Sequence, residues 1–477
     1  MNLGERRTKI VCTIGPSSDS KEKIDELVQN GMNIARINFS HGDHEQHGKV
    51  IERLRKVAEK YNVSLPVLAD LQGPKIRVGK MKDGAQELKM GDYVTLTPDE
   101  VEGTSQTIPV DYKNLVNDAV EGNKVLIDDG LLELKVIKKN AKNLIAQVMV
   151  GGTLKSRKGL NLPDVNISMS SLTEKDIKDL EFAVSKNVDY IAMSFVRTAE
   201  DIQEVISRAR ALGSNAGIIA KIEKPEAVEV MDDIIEESSG VMVARGDLGI
   251  EIASEKVPMV QKKIIDRCRQ AGKPVITATQ MLDSMIENPR PTRAESSDVA
   301  NAVLDGTDAV MLSGETAAGA YPVESIRTMD KICRSVEKDA PYLYNSLSYR
   351  KPEWKEKQVI ESLAYSCVVL GENVEANVIS TITHSGNTAR RIAKFRPRVP
   401  IVAFTESDEV RRQLGLVWGV RPVKIDEIFD TDKSVKLMEE YLKKHGLVQK
   451  GERVIIATGM PIAKRGHTNM IKVSTIE

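Results

Sequence analysis

Cysteine is scarce, and the four that occur, Cys12, Cys268, Cys333 and Cys367, stand far apart. With no CxxC pair and no histidine beside them at zinc-ligand spacing, a cysteine-built metal centre is excluded and reduced structural thiols are expected. Charge excess is lacking as well. The 68 Lys+Arg against 69 Asp+Glu leave a net −1, so no global field draws the chain toward nucleic acid or a membrane, and neither partner is expected. No run of about 18 apolar residues occurs. The opening MNLGERRTKIV is charged where a secretory signal would be apolar. These absences predict a cytoplasmic protein. Heptads, low-complexity tracts and short repeats are also missing.

What is present is alternation, in a chain of 477 residues that suggests about three domains. Between residues 9 and 314, short β-branched runs alternate with segments of helical period, as in βα units. The runs are Lys9–Gly15, Asn33–Phe39, Val67–Leu71, Tyr190–Phe195, Ile218–Glu223, Gly240–Arg245, Pro274–Thr279 and Ala309–Gly314. Their number predicts closure into a (β/α)8 TIM barrel. Among the helical segments, Ile202, Val205, Ile206 and Ala209 make one apolar stripe, and Pro225 fits a first helical position. Residues 72–189 separate the third run from the fourth. There YVTLT, KVLI, LLELKVI and LIAQVMV alternate in strand period around turns such as Asp128-Asp129-Gly130. The expected division is a catalytic barrel over 1–72 and 167–340, a β-barrel-like lid over 73–166, and an open α/β regulatory domain over 341–477. The last is read from NVISTIT, PIVAFT, RPVKI and RVIIATG.

Reactive groups in such a barrel belong at the C-terminal ends of its strands. Period-2 alternation puts Lys221 and Glu223 on one face of the fifth run. Asp247 follows the sixth in a glycine-flanked turn with Gly246 and Gly249. Two carboxylates at adjacent strand ends suit Mg²⁺, and a nearby ammonium would neutralise a transferring phosphoryl group or an enolate. Arg36, Asn38 and Ser40 share a face of the second run, which His41 follows. An inward arginine in an apolar strand is costly unless it meets an anion. Thr277 and Thr279 fall on one face of the seventh run, and the eighth ends in Ser313-Gly314-Glu315-Thr316. Five strand ends thus direct polar groups to one mouth.

TKIVCTIGPSS (8–18), ARINFSHG (35–42), GPKIRVG (73–79), SRKGLNLP (156–163), AKIEKPEA (220–227), ARGDLGIE (244–251), TATQMLDSM (277–285) and NPRPTRAESSDVANAVLDGTDAVMLSGETAAGAYP (288–322) together resemble the pyruvate kinase family across barrel and insert. The resemblance implies phosphoryl transfer from phosphoenolpyruvate to ADP, giving pyruvate and ATP, the last step of glycolysis. It implies Mg²⁺ on Glu223 and Asp247, and Lys221 stabilising the phosphoryl transition state and the enolate. Gly246 and Thr279 would anchor the substrate carboxylate beside Asp247, with Thr279 and Ser313 near the route of enolate protonation. Arg36 and Arg77 resemble phosphate-side cations, Arg77 standing with Asn38, His41 and Lys158 on the nucleotide side.

A K⁺ site is implied at Asn38, Ser40, Asp70 and the carbonyl of Leu71. Here, however, the stretch LQGPKIR places Lys75 where the family's TKGPEIR form has Glu, which predicts weak or absent K⁺ dependence. Thr383, Ser385, Gly386, Asn387 and Thr388 lie in a hydroxyl-rich turn that in the family binds a phosphorylated effector, a sugar phosphate or nucleotide, under a loop resembling Gly459–Asn469. Asn387 stands where some members have Arg, which argues against fructose 1,6-bisphosphate. A homotetramer is the family expectation. A metal-dependent aldolase or lyase acting on pyruvate or phosphoenolpyruvate would share the enolate chemistry but has no use for a nucleotide clamp. A catalytically silent metabolite sensor would need a lost essential group, and Lys221, Glu223, Asp247 and Thr279 are all present.

Overall fold

A computed structural model describes residues 6–163, 165–339, 355–428, 430–460 and 468–477. The boundary expected at 340/341 and the interior of the Gly459–Asn469 segment lie outside them. All eight apolar runs form strands: β1 (Lys9–Ile14), β2 (Ile34–Asn38), β3 (Val67–Asp70), β4 (Tyr190–Met193), β5 (Gly217–Ile222), β6 (Gly240–Ala244), β7 (Val275–Ala278) and β8 (Ala309–Leu312). They pair in parallel and in sequence order, and β8 closes on β1.

Alternation explains why these runs are apolar throughout. One set of side chains, including Ile10, Ala35, Ala69, Ile191, Ile222 and Val243, packs outward against the helices. The other set, Val11, Ile34, Leu68, Tyr190, Ala192, Ile219, Met242, Ile276, Ala278, Ala309 and Met311, fills the barrel interior. Fully burying each large member contributes about 1.5–3 kcal/mol. Leu416, from the C-terminal region, joins this inner cluster and is 1 % exposed.

Between β3 and β4 the chain builds a six-stranded sheet and a two-stranded ribbon of Ala85–Leu88 with Gly152–Lys155. Their core runs from Ile76 to Val165 and is separate from that of the barrel. Departure into the insert occurs at Gly73, whose φ is 70°. A Cβ there would lie 2.8 Å from Phe195 Cδ2 and 2.9 Å from Ser194 Cβ, so glycine is required. Asp128, Asp129 and Gly130 form the expected turn, all three left-handed.

The C-terminal region forms a five-stranded sheet from β9 (Val378–Ile382), β10 (Ile401–Thr405), β11 (Val420–Lys424), β12 (Arg453–Thr458) and β13 (Met470–Thr475), in the order β11-β10-β9-β12-β13. The last strand runs antiparallel to β12 and extends the four expected ones.

Two aspartates at the starts of barrel strands fasten this sheet to the barrel floor. Asp189, before β4, accepts from Val67 N and from Arg412, while Asp308, before β8, accepts from Val275 N and from Arg396. Arg396 also lies over the Trp418 ring at 4.7 Å. All four cysteines are free and buried, and burial pushes their thiols up, consistent with structural roles.

Candidate active site

The inward-facing series of most strands starts apolar and ends polar at the C-terminal mouth. Val11 leads to Thr13, Ile34 to Arg36 and Asn38, Leu68 to Asp70, Ala192 to Ser194, and Ile219 to Lys221 and Glu223. These ends form one network. Arg36 Nε donates to Asp70 Oδ2 at 2.6 Å, and Arg36 Nη1 donates to Thr13 Oγ1 at 2.9 Å. Lys221 Nζ lies 3.2 Å from Asp70 Oδ1, 2.9 Å from Glu223 Oε1 and 2.6 Å from Ser194 Oγ. Glu223 Oε2 accepts from Phe195 N at 2.7 Å.

Burial alone would lower the Lys221 pKa, but Asp70, Glu223 and Asp247 together raise it, so the ammonium stays charged. Burial pushes Asp70 up, yet Lys221 and Arg36 outweigh it and hold the carboxylate below its ordinary value. Glu223 goes the other way. Its burial, with the charge of Asp247, lifts it to about 7 against the pull of Lys221. The network sets two cations, Arg36 and Lys221, against three carboxylates, Asp70, Glu223 and Asp247, an excess that a divalent cation would relieve, and the oxygen donors of Glu223 and Asp247 suit Mg²⁺.

Asp247 is half-buried in the first turn of the helix Arg245–Glu251. Beside it, Gly246 N donates to Thr279 Oγ1 at 2.8 Å. Thr279 has φ 68° and Gln280 φ 51°, a strained left-handed pair just past β7. Here the expectation of a shared face fails. Ile276 and Ala278 face the barrel interior, so Thr277 points outward and bonds Thr307 Oγ1 at 3.0 Å; the left-handed turn re-aims Thr279 toward Gly246. Thr277 does not contribute to the mouth. Ser313 follows β8, its amide held by Glu315 Oε2 at 2.7 Å.

The remaining candidates are more dispersed. Asn38 Oδ1 accepts from Ser40 N at 3.1 Å, His41 is exposed, and the Leu71 carbonyl accepts from Ser194 Oγ at 2.7 Å. In the insert, Arg77 Nη1 donates to Arg157 O and Lys158 Nζ pairs with Asp128 at 2.8 Å. Neither is hydrogen-bonded to the barrel mouth among the described residues. The stem of Lys75 packs by Gly159, and its ammonium has no ion pair among the described residues.

Far from the mouth, Gly386 caps the helix Asn387–Ala393, its N–H donating to Thr383 Oγ1 at 2.9 Å. Thr388 shares a hydrogen bond with Thr468 Oγ1, and Ser385 and Asn387 are exposed.

Three residues escaped the reading of the sequence. Ser194 was accessible to it, since alternation from Ala192 points it inward. Thr13 follows in the same way from Val11. Arg245 carried no such signal: it faces the back of the strained turn, donating to Ala278 O at 3.2 Å and Thr279 O at 2.6 Å while pairing with Asp298 at 2.7 Å.

A closed parallel barrel with this mouth and an insert after its third strand sets cations and carboxylates together at the strand ends, an arrangement suited to phosphoryl or enolate chemistry. Residues 5–326 match the pyruvate kinase barrel domain and residues 361–474 the pyruvate kinase alpha/beta domain. The pyruvate kinase of Geobacillus stearothermophilus is 46% identical over 475 residues, covering 99% of this chain and 81% of that protein. The enzyme of Sporosarcina psychrophila is 46% identical over 478 residues, covering 99% and 80%. A crystal structure of a pyruvate kinase from Cryptosporidium parvum superposes with TM-score 0.93 at 39% identity, over 99% of this chain and 96% of that one. The chain belongs to the pyruvate kinase family.

Proposed function

We propose that the mouth formed by Arg36, Asp70, Lys221, Glu223, Asp247 and Thr279 transfers the phosphoryl group of phosphoenolpyruvate to ADP. The observation that carries this reading is the sharing of Asp70 by two cations, the partly buried Arg36 and the buried Lys221, directly beside the Glu223 and Asp247 carboxylates. Such transfer asks a protein mainly for alignment and charge neutralisation.

In this reading Glu223 and Asp247 hold Mg²⁺, which when bound supplies Lewis-acid neutralisation of phosphate and carboxylate oxygens. Arg36 binds the phosphoryl oxygens. As the bond from phosphorus to the enol oxygen breaks and one to the terminal ADP oxygen forms, the charged Lys221 stabilises both the transferring group and the enolate. Gly246 N–H and Thr279 fix the substrate carboxylate, and the enolate takes its proton at carbon on the side of Thr279 and Ser313. Asn38, His41, Arg77 and Lys158 serve the nucleotide, Arg77 and Lys158 by movement of the 73–166 insert toward the barrel of 1–72 and 167–340. Lys75 supplies positive charge near the Asn38, Ser40, Asp70 and Leu71 oxygens, making K⁺ dispensable. Thr383, Ser385, Gly386, Asn387 and Thr388 of the 341–477 regulatory domain bind a phosphorylated effector, and the enzyme works as a cytoplasmic homotetramer. No helix among the described residues is long and apolar enough to cross a membrane.

A coupled assay of ADP, phosphoenolpyruvate and Mg²⁺, with and without K⁺ and candidate sugar phosphates, tests this. ATP formation is expected in K⁺-free buffer, and a large loss of rate there would remove the K⁺ proposal. Lys221→Met should abolish ATP formation with unchanged circular dichroism; near-normal activity would refute the role given to Lys221.

A further inference from the structure

Glu251 ends the helix that begins with Arg245, Gly246 and Asp247. Its side chain is 1 % exposed, and its Oε1 accepts two hydrogen bonds from separate parts of the chain. Lys224 Nζ donates at 2.7 Å, from the residue directly after Glu223. Asn161 Nδ2 donates at 2.8 Å, from Leu160–Asn161, the final strand of the insert. Three segments therefore meet on one carboxylate oxygen: the end of β5, the helix bearing Asp247, and the insert.

A buried carboxylate and a buried ammonium are tolerated only while each has its partner. Beside them lies a cavity of about 30 Å³, room for about one water, lined in part by Lys75, Asn161, Phe195, Arg197, Lys224 and Glu251. Among the described residues Glu251 is the one carboxylate on that lining, which also carries three cations, Lys75, Arg197 and Lys224. Phe195, on the same wall, donates its amide to Glu223. The wall of this cavity is thus continuous with the mouth.

We propose that Glu251 is a positioning residue. Through Lys224 and through its own helix it sets the placement of Glu223 relative to Asp247, and through Asn161 it ties the insert to that placement. The proposal rests on Glu223 and Asp247 being the metal carboxylates. Coupling of this kind is reciprocal: if docking of the insert favours the metal-competent spacing, metal binding favours docking by the same factor.

The test uses the full-length protein without substrates, with Mn²⁺ as the probe because it takes the same oxygen ligands. Calorimetric titration should show Glu251→Gln, which keeps the shape and an acceptor for Asn161 but not the charge facing Lys224, weakening Mn²⁺ about 10–100-fold. Asn161→Ala should weaken it less, about fivefold. In the wild type, Mn²⁺ should slow amide exchange across residues 159–163, and Asn161→Ala should abolish that slowing. Wild-type affinity in both variants, while Glu223→Gln fails to bind, would overturn the proposal and leave the metal assignment standing. Wild-type affinity in Glu223→Gln would overturn the assignment itself. Should Glu251→Gln not fold, Asn161→Ala decides alone, and unchanged affinity with unchanged exchange counts against the proposal.

Discussion

Asp70 offers one carboxylate oxygen to Lys221, at 3.2 Å, and keeps the other for Arg36, at 2.6 Å. With 1 % of its side chain exposed, it is the anion that lets two cations stand together inside the barrel before any phosphate arrives.

Asp70→Asn should therefore cost both activity and stability. Activity should fall about 100-fold or more, the usual effect of losing a preorganised electrostatic group. The sign of the pH effect follows from the depressed carboxyl. Its contribution to stability is complete above 3.8, the ordinary value, and is lost as pH falls through the lower folded value. Melting curves should show the variant less stable at neutral pH and with a flatter acid limb below pH 3.8. An unchanged acid limb would count against the pairing.

Glu223 gives the opposite sign. Between its ordinary 4.5 and the folded value of about 7, the folded state holds a proton that the unfolded state has released. Metal-free stability should then fall as pH rises through that window, by at most roughly 1.4 kcal/mol per pH unit. Glu223→Gln removes this dependence, so its melting temperature should gain on the wild type from pH 4.5 to 7.5. Added Mg²⁺ should raise the melting temperature of the wild type and not of the variant. A pH-independent difference between the two would contradict the electrostatics.

Arg245→Lys keeps the charge but loses the fork that holds Ala278 O, Thr279 O and Asp298 at once. Released, the left-handed Thr279 turn should relax and move its hydroxyl from Gly246. A fall in kcat of about 100-fold is expected from such misplacement, with thermal stability changed far less. Full activity would mean that the strained turn holds itself.

Arg396→Met breaks a pair buried on both sides, at 3 % and 6 % side-chain exposure. Leaving Asp308 unpaired costs about 3–5 kcal/mol. Denaturant unfolding should split into two transitions, the C-terminal unit leaving first. A single unshifted transition would show that Arg412 and Asp189 suffice.

The barrel was legible because its strands are buried on both faces and change from apolar to polar where the chemistry sits. Lys221 and Glu223 followed from alternation alone. Thr277 did not, because a left-handed turn breaks the alternation between it and Thr279, and no sequence period encodes a positive φ at a threonine. Asn161, Glu251 and Lys224 illustrate a different gap. Each occupies a motif that could be quoted, yet their meeting depends on how the insert folds back over the barrel, across 90 residues of chain. The antiparallel β13 was likewise hidden, since MIKVST lacks the apolar density of its parallel neighbours.

Leu416 gives the barrel an order of completion. The inner cluster that β1 to β8 begin receives this side chain from roughly 100 residues further along the chain. At ribosomal speeds of about 5–20 residues per second, eight strands exist for roughly 5–20 s before the residue that plugs their floor is made. During that interval the apolar floor is a surface, open to chaperones and to other nascent chains. Folding of the catalytic barrel thus finishes only after the domain beneath it has begun to appear.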